Sequence, residues 1–294
     1  MRIVLIGNVI FSERMLNVLI EMDEAKVVGI VTKQFSKFNS DHRNLAPIAE
    51  NFNIPYKYVR DINAEHNYGW IESMKPDIIF CMGWSSLLGK EVLGIPPKGV
   101  IGFHPSALPS NKGRHPIIWA LVLGLEKTAS SFFKMVEKAD AGDIISQNEI
   151  PIDFDDNASS LYDKIILSAE SQIKEIVENL GNESSEPGIK RNEEGNEWRK
   201  RSRKDGLIDF RMASLSIYNL VRALALPYPN AEVIFNEMSF KVNAVRIGHN
   251  HETNIEPGKV LQIDENAIEV KTGDGSVWLT DHNIYPLPKT GLYF

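Results

Sequence analysis

The chain has 294 residues and a mass of 33.1 kDa, enough for two domains of ordinary size. Its 43% hydrophobic and 24% charged residues are typical of a globular protein. The formal net charge of −7 disfavours general attraction to nucleic acid or to an anionic membrane. The single cysteine, Cys81, excludes an internal disulfide framework and favours a reducing compartment.

Nothing in the sequence predicts membrane insertion or export. No apolar run approaches the roughly 18 residues that a bilayer-spanning helix needs. The N-terminus passes directly into the apolar residues 3–6 and shows no cleavage site of a signal peptide. We therefore expect a cytoplasmic protein.

Short apolar runs alternate with amphipathic stretches over the first half of the chain. Strands are predicted at residues 2–6, 26–31, 77–81 and 100–104, with helices at 11–21 and 45–51. This alternation predicts a Rossmann-like α/β fold, a mostly parallel sheet with helices on both faces. Because ligands of such sheets bind at the carboxyl ends of the strands, we expect Gly7, Met82 and His104 to lie at one edge.

The second half predicts a change of architecture. Two strands at 128–136 and 144–151 and a helix at 157–180 precede a polar, glycine-containing stretch at 181–195. We place the domain boundary there, with domains at 1–195 and 196–294. After a helix at 214–224, short strands are predicted at 232–235, 240–246, 259–263, 268–271 and 277–279. Their regular spacing predicts a small OB-like β-barrel.

The densest group of chemically useful residues runs from His104 to Asp140. His104 leaves a predicted buried strand into a proline-braced loop, and a helix begins near Pro116. Asp140 stands in a short loop before Gly142. Taken separately, a histidine after a strand or an aspartate in such a loop is more often structural. Their spacing and flanking sequence together match a specific signature.

That signature resembles the folate-dependent formyltransferase family. The matching residues are His104, Ser106, Leu108, Pro109, Gly113, Pro116, Trp119, Ala120, Asp140 and Gly142. Residues 205–210, 219–224 and 227–229 also resemble the joint and first elements of the family's barrel-like second domain. The resemblance extends from Arg2 to about Val260.

The resemblance implies formyl transfer from N10-formyltetrahydrofolate to an amine, without a metal. His104 would take or relay the amine proton, because an ordinary histidine has a pKa of about 6.5 and can both accept and release a proton near neutral pH. Asp140 would orient the imidazole and stabilise its cation. The seven histidines and one cysteine show no metal-binding spacing.

Two positions depart from the family pattern. Gly102 stands where the family has a catalytic asparagine, and Asn111 and Lys112 stand where it has tyrosine and arginine. We hypothesise that the amide of Asn111 replaces the missing asparagine. The alternative is that Asn111 is an exposed loop residue, and that a backbone group or a water molecule acts instead.

The resemblance also implies two sets of binding residues. The folate would contact Met82, Gly83, Trp84, Leu88, Val136 and Ala139. Polar candidates for holding the acceptor are Asn8, Lys112, Arg114, Arg203 and Tyr228.

Residues 102–116 look most like those of bacterial nucleotide-sugar N-formyltransferases. The implied acceptor is a 4-amino-4,6-dideoxy sugar on UDP or dTDP, in a pathway to cell-surface polysaccharides such as those with pseudaminic-acid-type sugars. A homodimer is the expected assembly.

Two alternatives remain open. A methionyl-tRNA formyltransferase is favoured by the basic run at 199–204 and disfavoured by the acidic net charge. A folate- or nucleotide-sugar-binding module that has lost catalysis is favoured by Gly102 and disfavoured by the retention of His104 and Asp140.

Overall fold

The computed structural model describes residues 1–36, 39–181 and 195–294, so most of the predicted linker lies outside the described residues. No helix in these ranges is long and apolar enough to cross a membrane. By contacts between Cα atoms the chain forms two compact units. Unit 1 comprises Met1–Gly113, Thr128–Ile150 and Asp163–Trp198, and unit 2 comprises Arg114–Lys127, Pro151–Tyr162 and Arg199–Phe294. The boundary between residues 195 and 196 stays a prediction.

The first ten elements belong to unit 1. In chain order they are β1 (Arg2–Gly7), α1 (Ile10–Glu21), β2 (Lys26–Thr32), α2 (Ala46–Asn51), β3 (Tyr56–Tyr58), α3 (Glu65–Ser73), β4 (Ile78–Met82), α4 (Lys90–Leu93), β5 (Val100–His104) and β6 (Lys112–Gly113).

The remaining elements complete both units. In chain order they are α5 (Pro116–Val122), β7 (Lys127–Lys134), β8 (Ile144–Pro151), α6 (Ala158–Gly181), β9 (Glu197–Trp198), a 3-10 turn (Arg203–Gly206), α7 (Ser214–Ala223), β10 (Ala231–Phe235), β11 (Met238–Ile247), β12 (Val260–Asp264), β13 (Ala267–Lys271) and β14 (Ser276–His282).

The larger sheet has seven strands in the order β3-β2-β1-β4-β5-β7-β8. β1 pairs in parallel with β2 and β4, and β4 pairs in parallel with β5. β7 runs antiparallel to β5. The prediction of a Rossmann-like, mostly parallel sheet is therefore confirmed. The strand order reverses between β1 and β4, which is where sheets of this kind open a ligand crevice at their carboxyl edge.

The central strands are apolar along their length because both faces of the sheet are covered. Residues 3–6 of β1 and 78–80 of β4 are completely buried. α1 buries Met15, Leu16 and Leu19 completely, at a spacing that places them on one face of the helix. The carboxyl edge of the sheet is therefore supported by a closely packed core beneath it.

The smaller sheet belongs to unit 2 and has five antiparallel strands in the order β10-β11-β14-β13-β12. Alternation along β14 shows how it buries one face: Val277 and Leu279 are fully buried, and Trp278 between them is half-buried. α7 packs against β11. The predicted C-terminal β domain is therefore confirmed as an antiparallel one.

Candidate active site

Three strand ends meet at the carboxyl edge of the larger sheet. In the register of β1 and β4, Gly7 lies opposite Met82, and β5 beside them ends at His104. The start of α1 is fastened to this edge, because the Ser12 hydroxyl donates to the carbonyl oxygen of Met82 at 2.6 Å. The predicted clustering at one edge follows from the parallel pairing of these strands.

His104 is held by two elements of unit 1. It is the last residue of β5 and lies opposite Ser131 of β7, and it is only 6% exposed. Its Nε2 lies 3.1 Å from the backbone carbonyl oxygen of Asn111, and its Nδ1 lies 3.8 Å from Oδ1 of Asp140. The structure therefore brings together the three residues that the sequence analysis named as catalytic.

Asp140 is fastened to the same loop as Asn111. Its Oδ2 accepts the backbone N–H of Gly113 at 3.2 Å. The residue adopts a left-handed backbone conformation with φ of 49°, which aspartate tolerates better than most residues. Its carboxylate thus has one oxygen tied to the loop and the other directed towards His104.

The partner of Nε2 determines how the imidazole carries its proton. A carbonyl oxygen can only accept, so the Nε2–H of His104 donates to Asn111. In the neutral ring the basic lone pair then belongs to Nδ1, the nitrogen near Asp140. A proton taken up at Nδ1 creates an imidazolium beside a carboxylate, which stabilises it. The arrangement is that of a general base with an orienting carboxylate.

The room around Gly102 is already filled. A Cβ at this position would lie 2.8 Å from Cγ of Met135 and 3.0 Å from Cζ of Phe133. An asparagine at 102, as in the resembled family, would need the Met135 side chain to move. Gly102 is thus part of a different local packing, in which two apolar side chains occupy the space beside β5.

The loop after His104 is braced by polar residues that the sequence analysis missed. The fully buried Ser131 donates its hydroxyl to the carbonyl oxygen of Ser106 at 2.6 Å. The amide of Gln147 donates to the carbonyl oxygen of Leu108 at 3.0 Å and to Ser131 at 2.8 Å. The strand pairing of β5 with β7 is the signal that points to Ser131, since it puts this residue opposite His104.

The residues assigned to folate lie in two segments of unit 1, one at and after the carboxyl end of β4 and the other in the loop that follows β7. Met82 and Leu88 are buried, Trp84 is half-buried, and Gly83, Val136 and Ala139 are exposed. Among the described residues, the indole Nε1 of Trp84 is buried without a hydrogen-bond partner. The Lys33 ammonium lies 4.3 Å from the centre of the Trp84 ring, and burial lowers the pKa of Lys33. A donor without a partner beside a cation fits a ligand with hydrogen-bond acceptors and negative charge, and folate has both in its pterin ring and its glutamate carboxylates.

The residues assigned to the acceptor are divided between the units. Asn8 and Lys112 belong to unit 1; Arg114, Arg203 and Tyr228 belong to unit 2. Asn8 is 1% exposed, and its Oδ1 is buried without a hydrogen-bond partner among the described residues. Arg203 forms an ion pair with Glu232 at 2.6 Å but keeps 69% of its side chain exposed. Within the described ranges, no group of three or more histidine, cysteine or acidic residues could hold a metal ion.

Two sequence profiles match the chain. Residues 1–177 match the profile described as Formyl transferase, and residues 200–284 match that of the Formyl transferase C-terminal domain. A methionyl-tRNA formyltransferase of Bacillus velezensis is 33% identical over 284 residues, which cover 95% of this chain and 88% of that protein.

Two solved structures share the fold. One is an N-formyltransferase from Helicobacter canadensis in complex with folinic acid and dTDP-3-aminofucose, with a TM-score of 0.71 and 19% identity, covering 96% of this chain and 99% of that one. The other is HypX from Aquifex aeolicus in complex with tetrahydrofolic acid, with a TM-score of 0.67 and 18% identity. The match covers 96% of this chain and 44% of HypX, so this chain spans less than half of that protein's length.

Family membership rests on the two profiles and on the Bacillus relative. The matched family takes its formyl group from N10-formyltetrahydrofolate. His104 and Asp140, which are arranged as a general base and its orienting carboxylate, lie within the segment matched by the first profile. The chain therefore belongs to the formyl transferase family and is a folate-dependent formyltransferase.

Proposed function

We propose that the chain transfers a formyl group from N10-formyltetrahydrofolate to the amino group of a nucleotide-linked amino sugar. The observation that supports the chemistry is the placement of His104 between the carbonyl oxygen of Asn111 and the carboxylate of Asp140. The proposed acceptor is a 4-amino-4,6-dideoxy sugar on UDP or dTDP, and its product would enter a cell-surface polysaccharide.

His104 acts as the acid and base of the reaction. When the amine attacks the formyl carbon, a carbon–nitrogen bond forms and the amine proton passes to Nδ1 of His104. The carboxylate of Asp140, 3.8 Å away, stabilises the resulting imidazolium. Collapse of the tetrahedral intermediate breaks the bond between the formyl carbon and N10, and the His104–Asp140 pair returns the proton to that nitrogen. The donor supplies the activated formyl group.

Asn111 is the proposed third catalytic residue, with two separate contributions. Its backbone carbonyl holds Nε2 of His104. Its side-chain amide is the proposed hydrogen-bond donor to the oxyanion that forms on the formyl oxygen, in place of an asparagine at Gly102. One such donor typically contributes about 10²–10³ in rate.

Folate binding is proposed at the edge formed by β4 and the loop before Asp140. Met82, Gly83, Trp84 and Leu88 would contact the pterin on one side. Val136 and Ala139 would contact it on the other. The buried indole N–H of Trp84 has no partner among the described residues, so an acceptor atom of the bound folate would satisfy it.

The charge distribution supports a small acceptor. Residues 199–294 contain 12 lysine and arginine residues and 11 aspartate and glutamate residues, so their formal charge is +1. The whole chain has a charge of −7, so residues 1–198 carry −8. A protein that binds tRNA neutralises many phosphates and needs an extended basic face. A nucleotide diphosphate needs only one or two cations.

The basic run at residues 199–204 is largely engaged within unit 2. Arg199 pairs with Asp205 at 2.5 Å and holds the pKa of that carboxyl well below its usual range. Arg201 donates to the carbonyl oxygen of Asp205 and stacks on Trp119, with its guanidinium carbon 4.9 Å from the ring centre. These contacts give the run a structural role. Arg203, which stays largely exposed, is the proposed diphosphate ligand of the run.

A specific observation favours a second candidate. The relative with 33% identity over 95% of this chain is a methionyl-tRNA formyltransferase, so the acceptor could be the aminoacyl end of initiator tRNA. The donor, His104 and Asp140 would have the same roles in that reaction. The two candidates differ only in the acceptor.

Formyl transfer itself is tested with the purified chain, N10-formyltetrahydrofolate and nucleotide-linked amino sugars. Mass spectrometry should detect an acceptor that is heavier by one formyl group. His104→Gln should abolish the product while the fold is kept. A wild-type rate in His104→Gln would remove this residue from the mechanism. Absence of product from the wild-type chain with every acceptor would instead support the alternative in which the site binds without catalysing.

A further inference from the structure

Residues 195–198 lie against the loop that carries Asn111. The side-chain Oδ1 of Asn196 accepts the backbone N–H of Asn111 at 2.9 Å. The carbonyl oxygen of Asn196 accepts the backbone N–H of Lys112 at 3.1 Å. β9 then continues in parallel pairing with β6. Asn196 thus contacts the loop through its side chain and its backbone.

The two backbones approach each other so closely that glycine is required on both sides. A Cβ at Gly195 would lie 1.8 Å from the carbonyl oxygen of Pro109. A Cβ at Gly113, whose φ is 96°, would lie 2.3 Å from the carbonyl oxygen of Trp198. The segment 195–198 is therefore built to lie directly on the loop.

The hydrogen-bond partners of His104 and Asp140 lie on this same loop, two positions apart. Asn111 accepts the Nε2–H of His104 through its carbonyl oxygen. Gly113 donates its backbone N–H to Asp140. The backbone conformation of residues 111–113 therefore determines the orientation of both the His104 and the Asp140 side chains.

The backbone of Asn111 needs outside support. Its φ of 62° lies in the left-handed region, which side-chain-bearing residues disfavour and asparagine tolerates best. The hydrogen bond from its N–H to Asn196 fixes one side of the residue. Its carbonyl oxygen, on the other side, is the group that meets Nε2 of His104.

We infer that Asn196 is a positioning residue for the reaction. By holding the N–H of Asn111, it keeps the Asn111 carbonyl oxygen on Nε2 of His104. Neutral His104 is thereby fixed as the Nε2–H tautomer, with its basic nitrogen near Asp140. In this role Asn196 acts on the reaction through Asn111 and His104.

The direct test reads the tautomer of His104 by NMR on the full chain labelled with ¹⁵N in histidine. At about pH 8.5 histidines are largely neutral, and the ring ¹⁵N shifts distinguish a protonated nitrogen from one with a lone pair. The His104 signals are assigned by their absence in His104→Gln. Wild type should show a single Nε2–H tautomer for this residue.

Three substitutions at Asn196 give the expected pattern. Asn196→Ala removes the acceptor and should convert His104 to a tautomer mixture. Asn196→Gln displaces the acceptor and should disturb the same signals. Asn196→Asp keeps an oxygen in place and should restore the wild-type tautomer. Asn148→Ala is the matched control, since the Asn148 amide is exposed and donates to the hydroxyl of Ser168 at 3.2 Å.

The kinetic part of the test rests on the proposed function, whereas the NMR part does not. With an accepted amine, Asn196→Ala should lower kcat by roughly 10- to 100-fold with an unchanged KM for the formyl donor. If no acceptor reacts, the proposed function fails and the tautomer still decides the role of Asn196. An unchanged His104 signal in Asn196→Ala, or an equal disturbance in Asn148→Ala, would overturn the inference.

Discussion

His104 and Asn111 are joined by a hydrogen bond of 3.1 Å, in which a ring N–H meets a backbone carbonyl oxygen. The bond uses the loop backbone, so the side chain at position 111 is available for a separate task. This separation makes the two proposed contributions of Asn111 experimentally distinguishable.

Asn111→Gly separates the backbone of this residue from its side chain. Glycine adopts a φ of 62° as readily as asparagine, so the carbonyl oxygen should stay on His104. Loss of the amide should lower kcat by about 10²–10³, the effect of one missing oxyanion donor. The measurement is steady-state kinetics, together with the His104 tautomer by NMR. A wild-type kcat with an intact tautomer would limit Asn111 to its backbone role.

Asp140→Asn tests the orienting carboxylate with little change of shape. The asparagine side-chain oxygen can still accept the N–H of Gly113, so the loop should keep its course. Without a negative charge near Nδ1 of His104, kcat should fall by about 10²–10⁴. Asp143→Asn, in the same loop, is the matched control and should leave kcat close to wild type. Equal effects of the two substitutions would show that general loop charge matters and Asp140 does not.

Gly102→Asn tests whether Met135 has taken the room beside β5. The new side chain meets Cγ of Met135 at 2.8 Å from its Cβ, so overpacking should lower the free energy of unfolding by about 1–3 kcal/mol. In a Met135→Ala background the same substitution should cost less, which a double-mutant cycle by urea denaturation would measure. Equal costs in both backgrounds would show that Met135 is not the obstacle.

Glu232 makes the stability of unit 2 depend on pH. The Arg203 hydrogen bonds, followed by those of Lys241 and Ser239, lower the pKa of Glu232 from 4.5 to about 2. Because the folded pKa lies below the unfolded one, the stabilisation is fully present above about pH 4.5 and is lost as the pH falls towards about 2. Glu232→Gln should therefore cost about 1–3 kcal/mol at neutral pH, and the difference from wild type should shrink in acid. A difference that stays constant across this range would contradict the ion-pair account.

Much of the fold follows from local sequence patterns. Strands β1, β4 and β5 are buried over all or most of their length and are recognisable in the sequence as short apolar runs. α3 was missed because it buries only Asn67 and Ile71 and contains a glycine, so it has no apolar stripe. The antiparallel direction of β7 was also beyond local pattern, because strand polarity depends on the path of the chain and not on side-chain alternation.

The site was predictable only where a motif carried it. His104 and Asp140 were found by resemblance, and their proximity needed the fold to show it. Asn196 gave no signal, since it stands 85 positions from the Asn111 that it contacts and next to a polar stretch typical of linkers. Contacts between residues so far apart in sequence depend on the three-dimensional fold and leave no local pattern in the sequence.

The choice of acceptor is tested most directly by competition in one reaction mixture. The chain is incubated with N10-formyltetrahydrofolate, initiator methionyl-tRNA and a panel of UDP- and dTDP-linked 4-amino-4,6-dideoxy sugars, and kcat/KM is measured for each by mass spectrometry. We predict formylation of at least one nucleotide sugar with a far higher kcat/KM than that of the tRNA. Formylation of the tRNA alone would contradict the proposed function.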